Sequence, residues 1–552
     1  MQTCANDIAS ESRAGSQPRM LAVLAGSLLG CPAVPFMGTS ACGGRANQGR
    51  IMGRTKIAVV GAGIAGLTAA YRLAQAGMDV DVYDVRARVG GRVQTALVAN
   101  LDGDYSVAEL GGQNISDGGD ATHFISLAKE MKIEVLQYER EDSYLYYDGA
   151  GYHDYESLLA QIVVDRSKLE QKLAAIAETS SSMQDVLDGL FPSQHGTSMR
   201  PGAFAESERG RSHRPDAPNL DDPPGSRRRF RSSRVAPNHV SRDLKRIFSL
   251  YLTAQEGLPP NKLAVYHNLT TLKFMMLGGI SEANRAVGPH AIQTMSSLKS
   301  GNATLPIKLA AALAGHIHFN KTLTAVSGDK TVSLRFHDGS VVQCDQVIMA
   351  MPAAVYHDIE FATELAAAAP VGAMAQIGYA ETAKIMTPVK HDQISHNSAF
   401  AHCLAFFNDD QKIFNLYFVN DGGNGDFCEK MYNEELSILK SGFPNAKFSD
   451  SLPLWAEDTQ MSRYDSPVAK SWVGDNFAQG SYSAFSLGLG ETLAETIHIN
   501  GIACRKLFAP IGARIFFAGE HTSVLDENGT MEAAVESGER AAKLVASIKA
   551  AA

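Results

Sequence analysis

The chain is poor in the residues that build metal centres and disulfide scaffolds. Seven cysteines are spread over 552 residues, at Cys4, Cys31, Cys42, Cys344, Cys403, Cys428 and Cys504. They show no C-x-x-C pair or other ligand spacing, so neither a metal site nor a disulfide framework is expected. Positive charge is also short. Fifty Lys and Arg against 59 Asp and Glu give a net charge of −9, which speaks against nucleic acid as a partner of the whole molecule. Long apolar runs are missing. The run Met20 to Gly30 is shorter than the ~20 residues that cross a bilayer, so no integral membrane span is expected. There is no Ser-His-Asp set to suggest nucleophilic hydrolysis.

What is present is ordinary globular composition, 45% hydrophobic and 20% charged, with length for roughly three or four domain-sized units. Arg13 and Arg19 precede the apolar run, which fits the h-region of an export signal. "LLGC" ending at Cys31 resembles a lipoprotein box, and "TSAC" at 39–42 allows ordinary cleavage. Residues 1–50 are therefore expected to be a leader and linker. The product is expected to be periplasmic or secreted, with Cys31 as the candidate lipid anchor, or cytoplasmic if the leader is not functional.

Ile57 to Val60 reads as a buried strand, Ile64 to Gln75 as a helix closed by Gly77, and Val80 to Tyr83 as a second strand. From about 120 to 190 the pattern reads as helical. Residues 193–243 are Arg-, Pro- and Ser-rich and read as a flexible surface insertion. Its "SRRRFRSSR" is the one stretch with a nucleic-acid look. "KTVSLRFHDGSVVQCDQVIMAMP" (330–352) reads as a hairpin turning at "HDGS", then a buried strand. "RIFFAG" and a final helix after Gly529 end the chain. That helix is rich in small residues, Ala533, Ala534, Gly538, Ala541 and Ala542, which lets something approach its backbone closely.

Gly61, Gly63 and Gly66 form G-x-G-x-x-G between the first strand and the helix. The first permits a tight turn, the second lets backbone amides reach a pyrophosphate, and the third allows close helix–strand packing. The amides of Ile64 and Ala65 open the helix, whose N-terminus favours an anion. Asp84 ends the second strand, where an acid accepts bonds from ribose hydroxyls. These features predict a dinucleotide site.

The stretch "DVRARVGGRV", carrying Asp84, Val85, Arg86, Gly91 and Arg92, resembles the extended FAD fingerprint of the flavin amine oxidase family. That family usually has Glu where this chain has Asp84. "AELGGQNI", with Gly111, Gly112, Gln113 and Asn114, resembles its segment over the flavin edge. "FAGEHT…GTMEAAVESGERAA", with Gly519, Glu520, Gly529, Thr530 and Met531, resembles its C-terminal signature. The resemblance runs from about residue 55 to the end, apart from the insertion. It implies an α/β fold: a discontinuous FAD-binding Rossmann-like domain of the glutathione reductase type (51–125, 296–360, 503–552), and a substrate domain of mixed sheet and helices (126–295, 361–502). Leu323 joins the implied FAD contacts. The last helix is implied to point its N-terminus at the flavin, with Glu520 near the ribityl or pyrophosphate region.

The resemblance also implies the chemistry: a hydride equivalent leaves a carbon next to nitrogen, the imine hydrolyses, and O2 becomes H2O2. "YAETAKIMTPV" makes Lys384 the candidate for holding a water near the flavin. In "WVGDNFAQGSYSAFSLG", Tyr482 is the candidate aromatic wall. Covalent relatives carry Cys before that Tyr, whereas this chain has Ser481, so FAD is expected to be non-covalent. Thr530 stands where the family's second aromatic falls, and Asn114 where snake-type L-amino acid oxidases carry a carboxylate-binding Arg. Asn114, Tyr482 and Thr530 are the expected substrate contacts. The expected substrate is a primary amine or an L-amino acid, with a homodimer entertained. Rival readings are an amide-forming monooxygenase of the family, a desaturase or protoporphyrinogen-type oxidase of the same fold, and a chromatin-type binding module.

Overall fold

The strand Lys56–Val60 carries a run of apolar residues buried on both faces, the pattern of a central parallel strand. In the computed structural model it is the middle of a five-stranded parallel sheet. The order is Ile515–Phe517, Gln346–Met349, Lys56–Val60, Asp79–Tyr83, Ile317–His318. Val60 is in register with Met349 on one side and Tyr83 on the other, so three strands end at one level. The structure describes residues 55–548 except 116–120, 142–143, 148–151, 155–157, 159–165, 193–236, 278–291, 329, 391–396, 401–402, 409, 420–428 and 526–527. The leader and nearly all of the insertion lie outside these.

The helix Ile64–Gln75 forms as its sequence predicts, with Gly77 at φ +75° just beyond it. It packs on the last helix, Met531–Ser547. This explains the small-residue face: a Cβ on Gly538 would lie 2.3 Å from the Ala65 carbonyl oxygen. Gly66 answers the same need, since a Cβ there would lie 2.0 Å from the Gly61 oxygen.

The other large sheet has nine strands. Its centre is Thr382–Lys390, flanked by Ile413–Val419 and Val468–Ser471. Helices Met183–Leu190, Pro237–Glu256 and Val265–Leu277 share a core with one end of it through Leu187, Phe248, Leu272 and Leu404. The described residues pack as one compact unit, and strand pairs cross between the two parts expected from sequence: Arg463–Tyr464 pairs with Thr95–Ala99.

Three sequence expectations need correction. The described residues between 135 and 154 are not helical but supply strands Val135–Glu141, Tyr144–Tyr147 and Tyr152–Asp154. Val135–Glu141 and Tyr144–Tyr147 pair with distant strands, Ile292–Leu298 and Asn397–Ala399, which no local pattern reveals, while Tyr152–Asp154 pairs with its neighbour Tyr144–Tyr147. The insertion does not run to 243, because a helix begins at Pro237. The boundary at 125 cuts the helix Thr122–Glu130, whose Phe124 and Leu127 belong to the same core as Ile57 and Val535.

Candidate active site

A cavity of about 1200 Å³ opens at the carboxyl ends of the parallel strands and runs to the nine-stranded sheet. Ligands of open α/β sheets bind at such strand ends. Its lining includes Gly61, Gly63, Ile64, Ala65, Asp84, Val85, Arg86, Gly91, Arg92, Gly111, Gly112, Gln113, Asn114, Leu323, Lys384, Tyr482, Gly519, Glu520, Gly529, Thr530 and Met531. Of the residues expected from sequence, Gly66 alone is not in this wall. It packs the helix against the turn.

The glycine turn is built as the motif requires. Gly61 sits at φ +112°, where a Cβ would strike the Ala350 oxygen at 2.7 Å. Gly63 caps the helix without a side chain, and the space where its Cβ would project is open. The first-turn amides therefore face a roomy, uncapped helix end, a cradle for a pyrophosphate. Asp84 pins this loop: its carboxylate accepts from the Ala62 amide at 2.6 Å and the Arg86 amide at 2.8 Å. Burial raises its pKa against those two bonds. These features fit FAD, with the Gly61–Ala65 turn and Asp84 at its nucleotide half.

Arg92 and Glu520 join the two ends of the chain inside the cavity wall at 3.0 Å. Glu520 also accepts from the Ser483 hydroxyl, the Ser483 amide and the Gly529 amide. Burial pushes Glu520 up, yet Arg92, His521 and Ser483 outweigh it, and its pKa is lowered. The same carboxylate thus fixes the residue after Tyr482 and the residue before Thr530. Thr530 is the N-cap of the last helix, its hydroxyl accepting from the Ala533 amide at 3.1 Å.

Lys384 reaches from the centre of the nine-stranded sheet to the 108–115 segment. Its Nζ donates to the Gly111 carbonyl at 2.8 Å, Gln113 Oε1 at 3.1 Å and the Glu109 carbonyl at 3.3 Å. Burial lowers its pKa to about 8, with Glu109 opposing. Tyr482 donates its hydroxyl to the Ala254 carbonyl at 2.9 Å, so the Tyr417 hydroxyl, also 2.9 Å away, is the donor to Tyr482. Ser481 lies 2.7 Å from the Thr382 hydroxyl.

Sequence reasoning missed several wall residues. Tyr417 lies opposite Lys384 on the neighbouring strand, with the Lys384 ammonium 5.9 Å from its ring. Trp472 donates to the Leu110 carbonyl at 3.1 Å and stacks under Lys470. Arg86, expected from sequence, is held by Asp458 and Asp475, two partners that were also missed. Glu256, the last residue of the Pro237–Glu256 helix, also lines the cavity. Among the described residues, no group of three or more His, Cys, Asp or Glu is placed to hold a metal, and no helix is long and apolar enough to cross a membrane.

A glycine turn at parallel strand ends, joined to a partly apolar chamber on a second sheet, defines a dinucleotide-binding α/β protein. The chain belongs to the flavin containing amine oxidoreductase family, which matches residues 64–414 and 460–546. It is 42% identical to the putrescine oxidase of Kocuria rosea over 90 residues, 16% of this chain and 17% of that one. It is 39% identical to lysine-specific histone demethylase 1 homolog 2 of Oryza sativa subsp. japonica over 93 residues, 17% of this chain and 12% of the relative. The matches to these curated relatives thus span under a fifth of their length. Among solved structures, the cyclohexylamine oxidase of Brevibacterium oxydans superposes with a TM-score of 0.60 at 15% identity, over 90% of this chain and 99% of that one. Wild-type putrescine oxidase bound to putrescine superposes at 0.58 and 17% identity, over 89% and 99%. These likenesses establish the fold: an FAD-binding part and a substrate part of mixed α/β structure.

Proposed function

We propose that this protein is a non-covalent FAD oxidase of primary amines: amine, O2 and water become aldehyde, ammonia and H2O2. A bound flavin supplies the two-electron acceptor for the C–H next to nitrogen. The chain's own residues do the rest. Tyr482 and Tyr417, locked by their hydrogen bonds, wall a partly apolar chamber that favours the neutral amine. Lys384 holds a positive charge beside the Gly111–Gln113 segment, where negative charge developing on reduced oxygen is stabilised. The first-turn amides of the Met531–Ser547 helix supply positive dipole at the chamber's other side.

The observation that carries the choice of amine over L-amino acid is the state of the arginines in the cavity wall. Arg86 is paired with Asp458 and Asp475, and Arg92 with Glu520. Position 114, where a carboxylate-binding Arg is expected in L-amino acid oxidases, holds Asn. The putrescine and cyclohexylamine oxidases among the relatives support the same choice. Anaerobic titration tests it. Flavin-loaded protein should bleach with primary amines and not with L-amino acids. Bleaching by amino acids alone, or by neither, refutes the proposal.

A further inference from the structure

Glu256 sits where a carboxylate is hard to keep. It is the last residue of a 20-residue helix, where the helix dipole is negative and repels an anion. Gly257, at φ +84°, ends the helix there, and a Cβ on it would meet Ala380 and the Tyr482 ring. The side chain lines the cavity. The Thr271 hydroxyl donates to it. Among the described residues no Lys, Arg or His forms an ion pair with it. Burial pushes its carboxyl up, and Thr271 is the one group that opposes this. His267, one turn before Thr271, stacks on Phe485 at 3.8 Å. Every other carboxylate singled out in the cavity wall has evident structural work: Asp84 pins the glycine turn and Glu520 holds Arg92. A carboxylate facing a partly apolar cavity at a helix C-terminus without a cation is disfavoured. Such a group is the mark of a site whose partner is a ligand.

We propose that Glu256 is a substrate-recognition residue that binds a second, distal ammonium group, so that the preferred substrates are α,ω-diamines or longer polyamines. This rests on the amine oxidase reading. Tyr482 lies between the two ends: it touches Gly257 and Ala254 on the Glu256 side, and Tyr417, near Lys384, on the other. A diamine then spans the tyrosine pair. Its neutral amine is at the reacting end, and its ammonium lies against Glu256 and the carbonyl-rich end of the helix. The helix C-terminus that repels Glu256 attracts that ammonium.

The test compares a series of α,ω-diamines with n-alkylamines of matching length, in wild-type, Glu256→Gln and Glu256→Asp proteins loaded with FAD. Turnover is followed by peroxide release, and binding by calorimetry under nitrogen. The wild type should prefer the diamine. Glu256→Gln, which keeps a hydrogen-bond acceptor for Thr271, should lower the diamine-to-monoamine ratio of kcat/KM by about 10²-fold. Glu256→Asp withdraws the carboxylate by one carbon and should shift the preferred diamine to a longer one. Unaltered flavin spectra show that the variants fold. A wild-type ratio near one, or a ratio that Glu256→Gln leaves in place, overturns the inference and leaves the amine oxidase reading standing. Glu256-dependent binding of diamines without oxidation overturns that reading and keeps the subsite. Neither binding nor oxidation overturns both.

Discussion

Lys384 is a charge held in a place that resists it, and replacing it with methionine measures how much. Its pKa falls from 10.5 to about 8, chiefly through burial. A fall of that size means the fold holds the ammonium less well than the unfolded chain by roughly 3 kcal/mol. The side chain is only partly covered, so screening leaves about 1–2 kcal/mol. The sign follows from proton counts. Between pH 8 and 10.5 the unfolded chain binds more protons at this site than the folded one, so stability rises with pH across that window. Below pH 8 the penalty is fully present. For a chain of this size about 1 kcal/mol moves Tm by about 1 °C. Lys384→Met has no group to titrate there. The Tm of the wild type minus that of the variant, measured by differential scanning fluorimetry on flavin-free protein, should therefore rise by about 1–2 °C between pH 7 and pH 10.5. Other groups titrating at high pH are common to both proteins and cancel. A flat or falling difference would refute the burial argument.

Other outcomes follow from the same geometry. Arg92→Met strands Glu520 as a buried unpaired anion, which should cost about 3–5 kcal/mol and lower the flavin content of purified protein. Full flavin retention with an unchanged Tm would contradict it. Gly66→Ala drives a Cβ into the Gly61 oxygen and should abolish flavin binding in the absorption spectrum, whereas Gly77→Ala, with open space around it but φ +75°, should cost only about 1 kcal/mol. Thr530→Ala removes the helix cap and should cost about 1 kcal/mol, read by denaturant unfolding. Acid precipitation should leave all flavin in the supernatant, since Ser481 has no thiol to form a bond; yellow colour in the pellet would contradict the non-covalent reading.

The parts of the site that were legible in sequence are those set by local rules. The turn at Gly61–Gly66, its helix, Asp84 and the "HDGS" hairpin each follow from neighbours within a few residues. The small face of the last helix announced a close approach, though its partner, the Ala65 carbonyl, lies more than 450 positions away. What was not legible depends on long-range pairing. Tyr417 faces Lys384 only because two antiparallel strands meet in that register. The Arg92–Glu520 bridge closes over 428 positions. Glu256 carries no motif in sequence, and is marked out only by the fold, which brings Thr271 to its carboxylate and the Tyr482 ring to the adjoining Gly257. Val135–Glu141 and Tyr144–Tyr147 were hidden for the same reason, since their partners Ile292–Leu298 and Asn397–Ala399 lie far along the chain.

The most direct measurement of the central claim is the balance of a single reaction: peroxide formed, O2 consumed and aldehyde released by purified yellow protein given a primary amine. The account predicts one of each per amine oxidised, with loss of the flavin band when O2 is withheld. A flavin that no amine reduces, or amine consumption that yields an amide without peroxide, would contradict it.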